Sequence, residues 1–333
     1  MKREQAMLAG ILALAAIVLA GAPLIGIERI GFAQVFDRAG DPVAADIFWR
    51  IRVPRVLAAF LAGAVLASSG MAFQALFRNP LASPFTLGVS SGAAFGAAAY
   101  LISGLTFSLF GISGAGLSAF AGALLSIGVV YGLSRSARGL STATLLLAGV
   151  AVNFFFSGMI LFIQYLSDFT DSFRIIRWLM GGLEVTGYRP AAAILPFAIA
   201  GCGGLVLLSR ELNLMLLGEE TALSRGVSTS KLKASILVGV SLMVGSVVAV
   251  AGPIGFVGIM CPHICRLLVG HDHRLLAPAC ILFGGAFLVG CDTAARVIIA
   301  PAEMPVGVIT AMLGGPFFLW LLMRGASEKK VTD

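Results

Sequence analysis

The chain has 333 residues, 59% of them hydrophobic, with 41 glycines and only 12% charged side chains. A soluble domain carries roughly 25% charged residues, so at a mean hydropathy of +0.99 this chain cannot cover a globule with polar groups, which excludes soluble-enzyme and disordered readings. The net charge of +7 is therefore read first as membrane sidedness, with no nucleic-acid partner.

Apolar segments of spanning length recur from end to end without a soluble domain between them. Residues 1–333 thus read as a single all-α transmembrane domain in a lipid bilayer. The first predicted helix covers 7–27. Lys2 and Arg3 precede it, and Ala20-Gly21-Ala22 loosely resembles a signal-peptidase site. The run is long enough to span and more spans follow, so it is read as an uncleaved first helix. Further helices are predicted at 56–76, 84–102, 113–133, 142–167, 190–208, 234–251, 257–269, 275–296 and 306–323, making ten. The segment 257–269 is too short for a full span. Pro253, Gly255 and Gly258 before it mark a broken or partly buried element.

Small residues crowd these helices, as at Gly63-Ala64, Ala67-Ser68-Ser69-Gly70, the GxxxG pair Gly92 and Gly96, and Gly284-Gly285. Close helix packing in lipid accounts for them without a ligand. Stretches 63–84 and 245–266 resemble each other weakly. A match of the second helix to the seventh, five spans apart, would invert topology, which is inverted-repeat character.

With both termini placed in the cytoplasm, 14 of the 23 basic residues fall inside and nine outside. Seven acidic residues accompany the inner set and nine the outer set, so the cytoplasmic side holds the whole +7. The excess favours this orientation and an even number of spans. Arg29, Arg38, Asp37 and Asp41 belong to the outer set, and Arg138 to the inner.

The chain lacks a GxxxxGK[ST] phosphate loop, and no HExxH, GxSxG or DFG-like set occurs. Catalytic residues are therefore not assigned. The spans are nearly free of ionisable groups, which disfavours an ion-coupled carrier with a buried acidic relay. Asp292 is the exception. With Arg296 four residues on, it reads as a structural i,i+4 pair near the interface. Cys261, His263 and Cys265, followed by His271 and His273, form the one cluster of metal-ligand types. Their spacing fits no usual zinc pattern, and a capped helix end explains them. The odd total of five cysteines argues against a disulfide framework.

The most polar insertion is 209–233, with a segment at about 210–230 set off from the spans. Gly218 and Gly226 bracket a short helix of about two turns, with Leu214, Leu217 and Thr221 able to share a face. The acidic pair Glu219-Glu220 disfavours an anionic lipid surface, so a protein partner is expected.

Arg52-Val53-Pro54-Arg55, Asn79-Pro80-Leu81-Ala82-Ser83-Pro84 and Leu87-Gly88-Val89-Ser90-Ser91-Gly92-Ala93 together resemble motifs of the permease family of ABC importers for iron-siderophores, haem and cobalamin. The likeness continues through Leu140-Ser141-Thr142, Trp178-Leu179-Met180-Gly181-Gly182, Leu217-Gly218-Glu219, Pro262-His263 and Glu303-Met304-Pro305-Val306-Gly307. Cys291, Cys261 and Cys265 depart from the usual residues at their positions.

The resemblance implies ten helices per subunit in a bacterial inner (cytoplasmic) membrane and a homodimer with one pathway on its axis. It also implies two ATP-binding-cassette ATPases beneath and a soluble substrate-binding protein outside. No cofactor would be bound by this chain, ATP and Mg2+ being used by the ATPase. Matching positions make Arg52 and Arg296 outer residues that pair with binding-protein carboxylates, in keeping with exposed guanidinium forks; interfacial anchoring is the alternative. Thr142 and Ala143 match a cytoplasmic gate, and Asn79 with Leu81 a second constriction, against plain helix capping by Ser141 or Thr142. Asn153 and Gln164 are pathway candidates, against interhelical hydrogen bonding. Leu217, Gly218, Glu219, Glu220, Ala222, Arg225 and Gly226 match ATPase-coupling positions. The implied mechanism is alternating access. A self-sufficient secondary transporter of a small organic solute is the competing reading, and an intramembrane enzyme using the Cys/His cluster a third.

Overall fold

The computed structural model describes residues 2–28, 30–31, 34–35, 42–109, 112–136 and 142–330. Arg29, Asp37, Arg38, Asp41, Arg138, Leu140 and Ser141, named above, lie outside the described residues. The fold is an all-α bundle. A two-residue hairpin, Ser108–Leu109 with Ile112–Ser113, is the one antiparallel pairing among the described residues.

Among the described residues, seven helices are long and apolar enough to cross a membrane, and three shorter apolar ones accompany them. They match the ten expected segments. In chain order they are α1 (Lys2–Gly21), α3 (Val53–Phe77), α4 (Val89–Ile102), α5 (Gly114–Ser136) and α6 (Thr142–Leu166). There follow α8 (Arg189–Leu207), α11 (Thr229–Ala251), α12 (Val257–Val269), α13 (His273–Val297) and α14 (Val306–Lys330). The short element at 257–269 has the expected bounds.

Four helices were not foreseen as such or only in outline. The short α2 (Pro42–Asp46) leads through a π-helical turn at Ile47–Arg52 straight into α3. Between α6 and α8 lies α7 (Phe169–Leu179), capped by Asp168, whose carboxylate accepts the Asp171 N–H at 2.8 Å. The polar insertion holds α9 (Ser209–Leu216) and α10 (Glu219–Ser224). Several expected boundaries also move: the first helix runs Lys2–Gly21 and not 7–27, the one placed at 234–251 starts at Thr229, the one placed at 306–323 runs on to Lys330, and the helix placed at 84–102 begins only at Val89. Residues before it form turns in which the Thr86 hydroxyl donates to the Ser83 carbonyl at 2.7 Å, and Gly88 takes φ +78° before the helix starts.

Helix α3 is the axis of the bundle. In its apolar window 83% of residues are buried, against 22% for α1. Its composition is the cause. Ala58, Ala59, Ala62, Gly63, Ala67, Ser68 and Gly70 give it a thin profile, so α8, α12 and α13 pack on it. A Cβ at Gly63 would strike the Gly284 carbonyl of α13, and one at Gly70 the Gly258 carbonyl of α12. Lipid offers helices no hydrophobic drive to associate, so this close approach supplies the dispersion energy that holds them. The Gly92/Gly96 pair does the same for α4 against Gly122 and Ser118 of α5.

The 25 residues of α3 rise by about 1.5 Å each, roughly 37 Å, enough to cross the hydrocarbon core. Arg52 marks one end of the bundle, and Arg78, with α9 and α10, the other. Replacing Gly70 by Val would force α3 and α12 apart, because the obstacle is backbone. We expect a loss of about 3 kcal/mol or more, read as a lower Tm in detergent size-exclusion assays, with Gly128→Ala, where a Cβ meets nothing within 4 Å, unchanged.

Candidate functional site

At the Arg52 end, five charged groups meet. Asp292, fully buried on α13, accepts from Arg55 Nε at 3.0 and 3.1 Å and faces Arg55 Nη2 at 3.0 Å. Arg55 Nη1 also donates to Glu303 Oε2 at 2.7 Å. The foreseen Asp292–Arg296 pair exists at 3.3 Å, but Arg296 Nε lacks hydrogen-bond geometry there. Arg55 is therefore the principal partner. It was named in a motif without a role, because its carboxylate lies 237 residues away in the chain.

Arg52 and Arg296 differ from the exposed forks expected of them: they are 6% and 5% exposed. The reason is local. Helix α1 ends at Gly21, and the connection after it leaves carbonyls unpaired. Arg52 donates to the carbonyls of Pro23 at 3.2 Å and Glu28 at 2.6 Å. Arg296 donates to that of Ile25 at 3.3 Å and to Thr293 Oγ1 at 3.0 Å. Both guanidiniums still line a cavity of about 230 Å3 with Glu28, Arg55 and Glu303.

A second cavity at this end, about 380 Å3, is lined by Arg174, Arg177, Trp178 and Glu184 with Gly252 and Pro305. Its arginines come from α7, where Arg174 pairs with Asp171 at 3.1 Å and Arg177 with Glu184 at 3.0 Å. The signal for this helix was present in the Asp168 cap and in Ile175, Trp178 and Leu179 at helical spacing.

Along the bundle, α6 packs on α4, α5 and α7 and carries four of the predicted site residues. Thr142 is half-buried and Ala143 exposed at its first turn; Asn153 and Gln164 are half-buried further on. Asn153 lines a mostly apolar cavity of about 280 Å3 with Leu66, Pro84, Phe85 and Phe256. Gln164 does not reach that cavity. At the far end Asn79 accepts the Leu81 N–H at 2.9 Å, and Leu81 is exposed. The two proposed constrictions sit on separate elements, α6 and the loop after α3.

The insertion beyond α8 folds as predicted around its glycines. Gly218 at φ +118° and Gly226 at φ +84° flank α10. Ala222 is buried, whereas Leu217, Glu220, Leu223, Arg225 and Gly226 are exposed. Glu219 is less free than its neighbour: it accepts from Lys233 Nζ at 2.7 Å, and Lys233 is only 1% exposed. This pair fastens α10 to α11.

The cysteines and histidines of 261–273 diverge. All five cysteines are buried free thiols. The His263 ring meets Phe317 edge-on at 5.7 Å, and His273 Nδ1 lies 2.7 Å from Asn213 Oδ1. Among the described residues no three His, Cys, Asp or Glu side chains form a metal set. Asp272 caps α13, and the Arg274 N–H holds its carboxyl below the ordinary aspartate value, with the Asn213 amide adding to the effect.

Uncharged helix interiors, charge networks confined to the two ends and a presented surface helix define a polytopic membrane transport subunit. The chain belongs to the FecCD transport family, whose sequence signature spans residues 10–324. It is 38% identical over 330 residues to the hemin transport system permease protein HmuU of Yersinia pestis, covering 97% of each chain. It is 43% identical over 279 residues to the vitamin B12 import system permease protein BtuC of Klebsiella pneumoniae, covering 83% of this chain and 82% of that one. A solved structure described as a metal-chelate type ABC transporter, inward-facing, superposes with a TM-score of 0.85 at 31% identity, covering 96% of this chain and 99% of that one.

Two substitutions test the charge networks. Asp292→Ala removes the buried carboxylate between Arg55 and Arg296, leaving Arg55 with Glu303 alone, and should cost about 3 kcal/mol, seen as a fall in Tm. Removing Arg55 as well should recover part of that loss in a double-mutant cycle.

Proposed function

We propose that this protein is the permease of an ATP-binding-cassette importer that moves a metal chelate, haem or a corrinoid by alternating access. The observation that carries the reading is α10. It is a preformed helix held from below by Ala222 and the Lys233–Glu219 pair, with Leu217, Glu220 and Arg225 offered outward. A rigid, presented helix with mixed apolar and charged groups suits docking into a groove on a partner protein. The relatives named for hemin and vitamin B12 support the substrate class.

In this reading the α10 end is cytoplasmic, with both termini, in a bacterial inner membrane. Two copies of the chain form a homodimer, each resting on an ATPase subunit through α10. ATP with Mg2+ is bound and hydrolysed there, and the permease binds no cofactor. Thr142, Ala143, Asn79 and Leu81 close the cytoplasmic side of the pathway, which passes Asn153 and Gln164. The exposed apolar flank of α6, with Phe154 and Phe155, supports a surface covered by a second copy or by lipid. Outside, a soluble binding protein delivers substrate. Arg52 and Arg296, with Arg55, supply the positive lining of the cavity beside Glu28 and Glu303 that would meet its carboxylates.

Transport should appear only when the permease is reconstituted with its ATPase, as vanadate-sensitive uptake of a chelate or corrinoid into vesicles. Uptake by the isolated chain along an ion gradient would overturn the reading. Within the complex, Glu220→Lys should weaken ATPase association about tenfold, a typical cost for one interface charge, with Tm unchanged. Glu219→Lys should weaken association and lower Tm together, because it leaves Lys233 buried beside a like charge.

A further inference from the structure

A cavity of about 270 Å3 at the α10 end is assigned to none of the groups above. It lies between the end of α3 and the start of α13, and Gln74, Arg78, Asn79, Leu216, Arg266 and His273 contribute to its wall. Among the described residues, neither the Arg78 nor the Arg266 guanidinium makes a hydrogen bond or an ion pair.

No carboxylate lines this cavity. The nearby acids are engaged elsewhere: Asp272 with Asn213 Nδ2 at 2.7 Å and the Arg274 N–H at 3.0 Å, Glu219 with Lys233 at 2.7 Å. Gln74 is 4% exposed, its amide donates to the Gly258 carbonyl at 3.1 Å, and its carbonyl oxygen is itself buried, so it forms wall and does not reach an incoming group. The wall therefore asks for an anion to meet two guanidiniums. An Asp or Glu side chain brings one.

Place selects the bearer of that side chain. A Cβ built on Gly218 would lie 3.9 Å from Arg78 Nη1, so the cavity adjoins the coupling helix. It also contains Asn79, the first residue of the gate loop. The two cavity guanidiniums and the exposed Glu220 of the neighbouring α10 are charges of opposite sign, and such charges fix register between partners. We infer that this cavity receives a carboxylate side chain of the ATPase partner, a second contact beside α10. This rests on the ABC reading proposed above. The contact would place an ATPase carboxylate directly against the gate loop, through Arg78 and its neighbour Asn79.

The test uses the full permease in phosphatidylcholine nanodiscs, titrated with its purified ATPase. Arg78→Gln and Arg266→Gln should each raise the dissociation constant about tenfold and flatten its salt dependence, with Tm unchanged. In Arg78→Lys, carbodiimide treatment should form an amide between the new amine and an ATPase Asp or Glu, identified by peptide mass spectrometry. Wild-type affinity in both Gln variants would overturn the inference. So would retention of phosphatidylglycerol or inorganic phosphate by the permease alone, lost in Arg266→Gln, since the cavity would then serve a phosphate. If the wild-type permease binds no ATPase at all, the ABC reading itself falls, and this contact with it.

Discussion

Lipid gives these helices no reason to leave it for one another, and the architecture follows from that constraint. Attraction between spans must come from contact, which requires backbones to approach closely. Helix α3 meets the requirement with a column of Ala, Gly and Ser, and its partners answer with glycines of their own at Gly258 and Gly284. The small residues serve the close crossings, while α3 buries Phe73, Met71 and Leu66 between them; on α6 and α7, Phe154, Tyr165 and Phe169 are well exposed.

The same solvent decides where charge can sit. Between Arg55 and Arg78, α3 carries none, and α4, α5, α6 and α8 are equally bare along their spans. Among the described residues the ion pairs therefore lie toward the ends, some exposed, as Arg177 with Glu184, and some buried and satisfied by protein, as Arg55 with Asp292. At one end, arginines serve the carbonyls released by the termination of α1 and clamp α3 to α13 through Asp292. At the other, Lys233 pulls α10 onto α11. Arg52 and Arg296 commit both terminal nitrogens to protein oxygens and still line the cavity, so structural burial and a place in its wall coexist.

Apolar length was legible in the sequence, and it is the property that produces the ten apolar helices. Turn chemistry was legible where glycine alone could act, as at Gly218 and Gly226. Three things were not. Helix α7 is not visible as apolar length, because its apolar residues are interleaved with Thr170, Asp171, Arg174 and Arg177; only the Asp168 cap and the helical spacing of Ile175, Trp178 and Leu179 mark it. The late start of α4 hides because Pro84 is acceptable both in a first helical turn and in the turn that in fact precedes it. Burial of Arg52, Arg296 and Lys233 hides because an end-of-helix cation reads as solvated until its partner is known. Those partners lie far off in the chain: the Glu28 carbonyl for Arg52, the Ile25 carbonyl for Arg296, and Glu219 on a separate helix for Lys233.

Helix α11 joins the two ends of the bundle. Its first turns hold Lys233, tied to α10, and its 23 residues extend roughly 34 Å at about 1.5 Å each. At its far end the Ala251 carbonyl accepts the Gly182 N–H at 2.8 Å, and the Gly181 carbonyl in turn accepts the Gly307 N–H at 3.1 Å. Gly252, at φ +66°, lets the chain turn where a side chain would meet the Trp178 carbonyl at the base of α7. A rigid rod thus runs from the presented helix to the cavity lined by Arg174 and Arg177. The short helix α10 at one end and the α7 segment at the other are thus both anchored on the same packed helix.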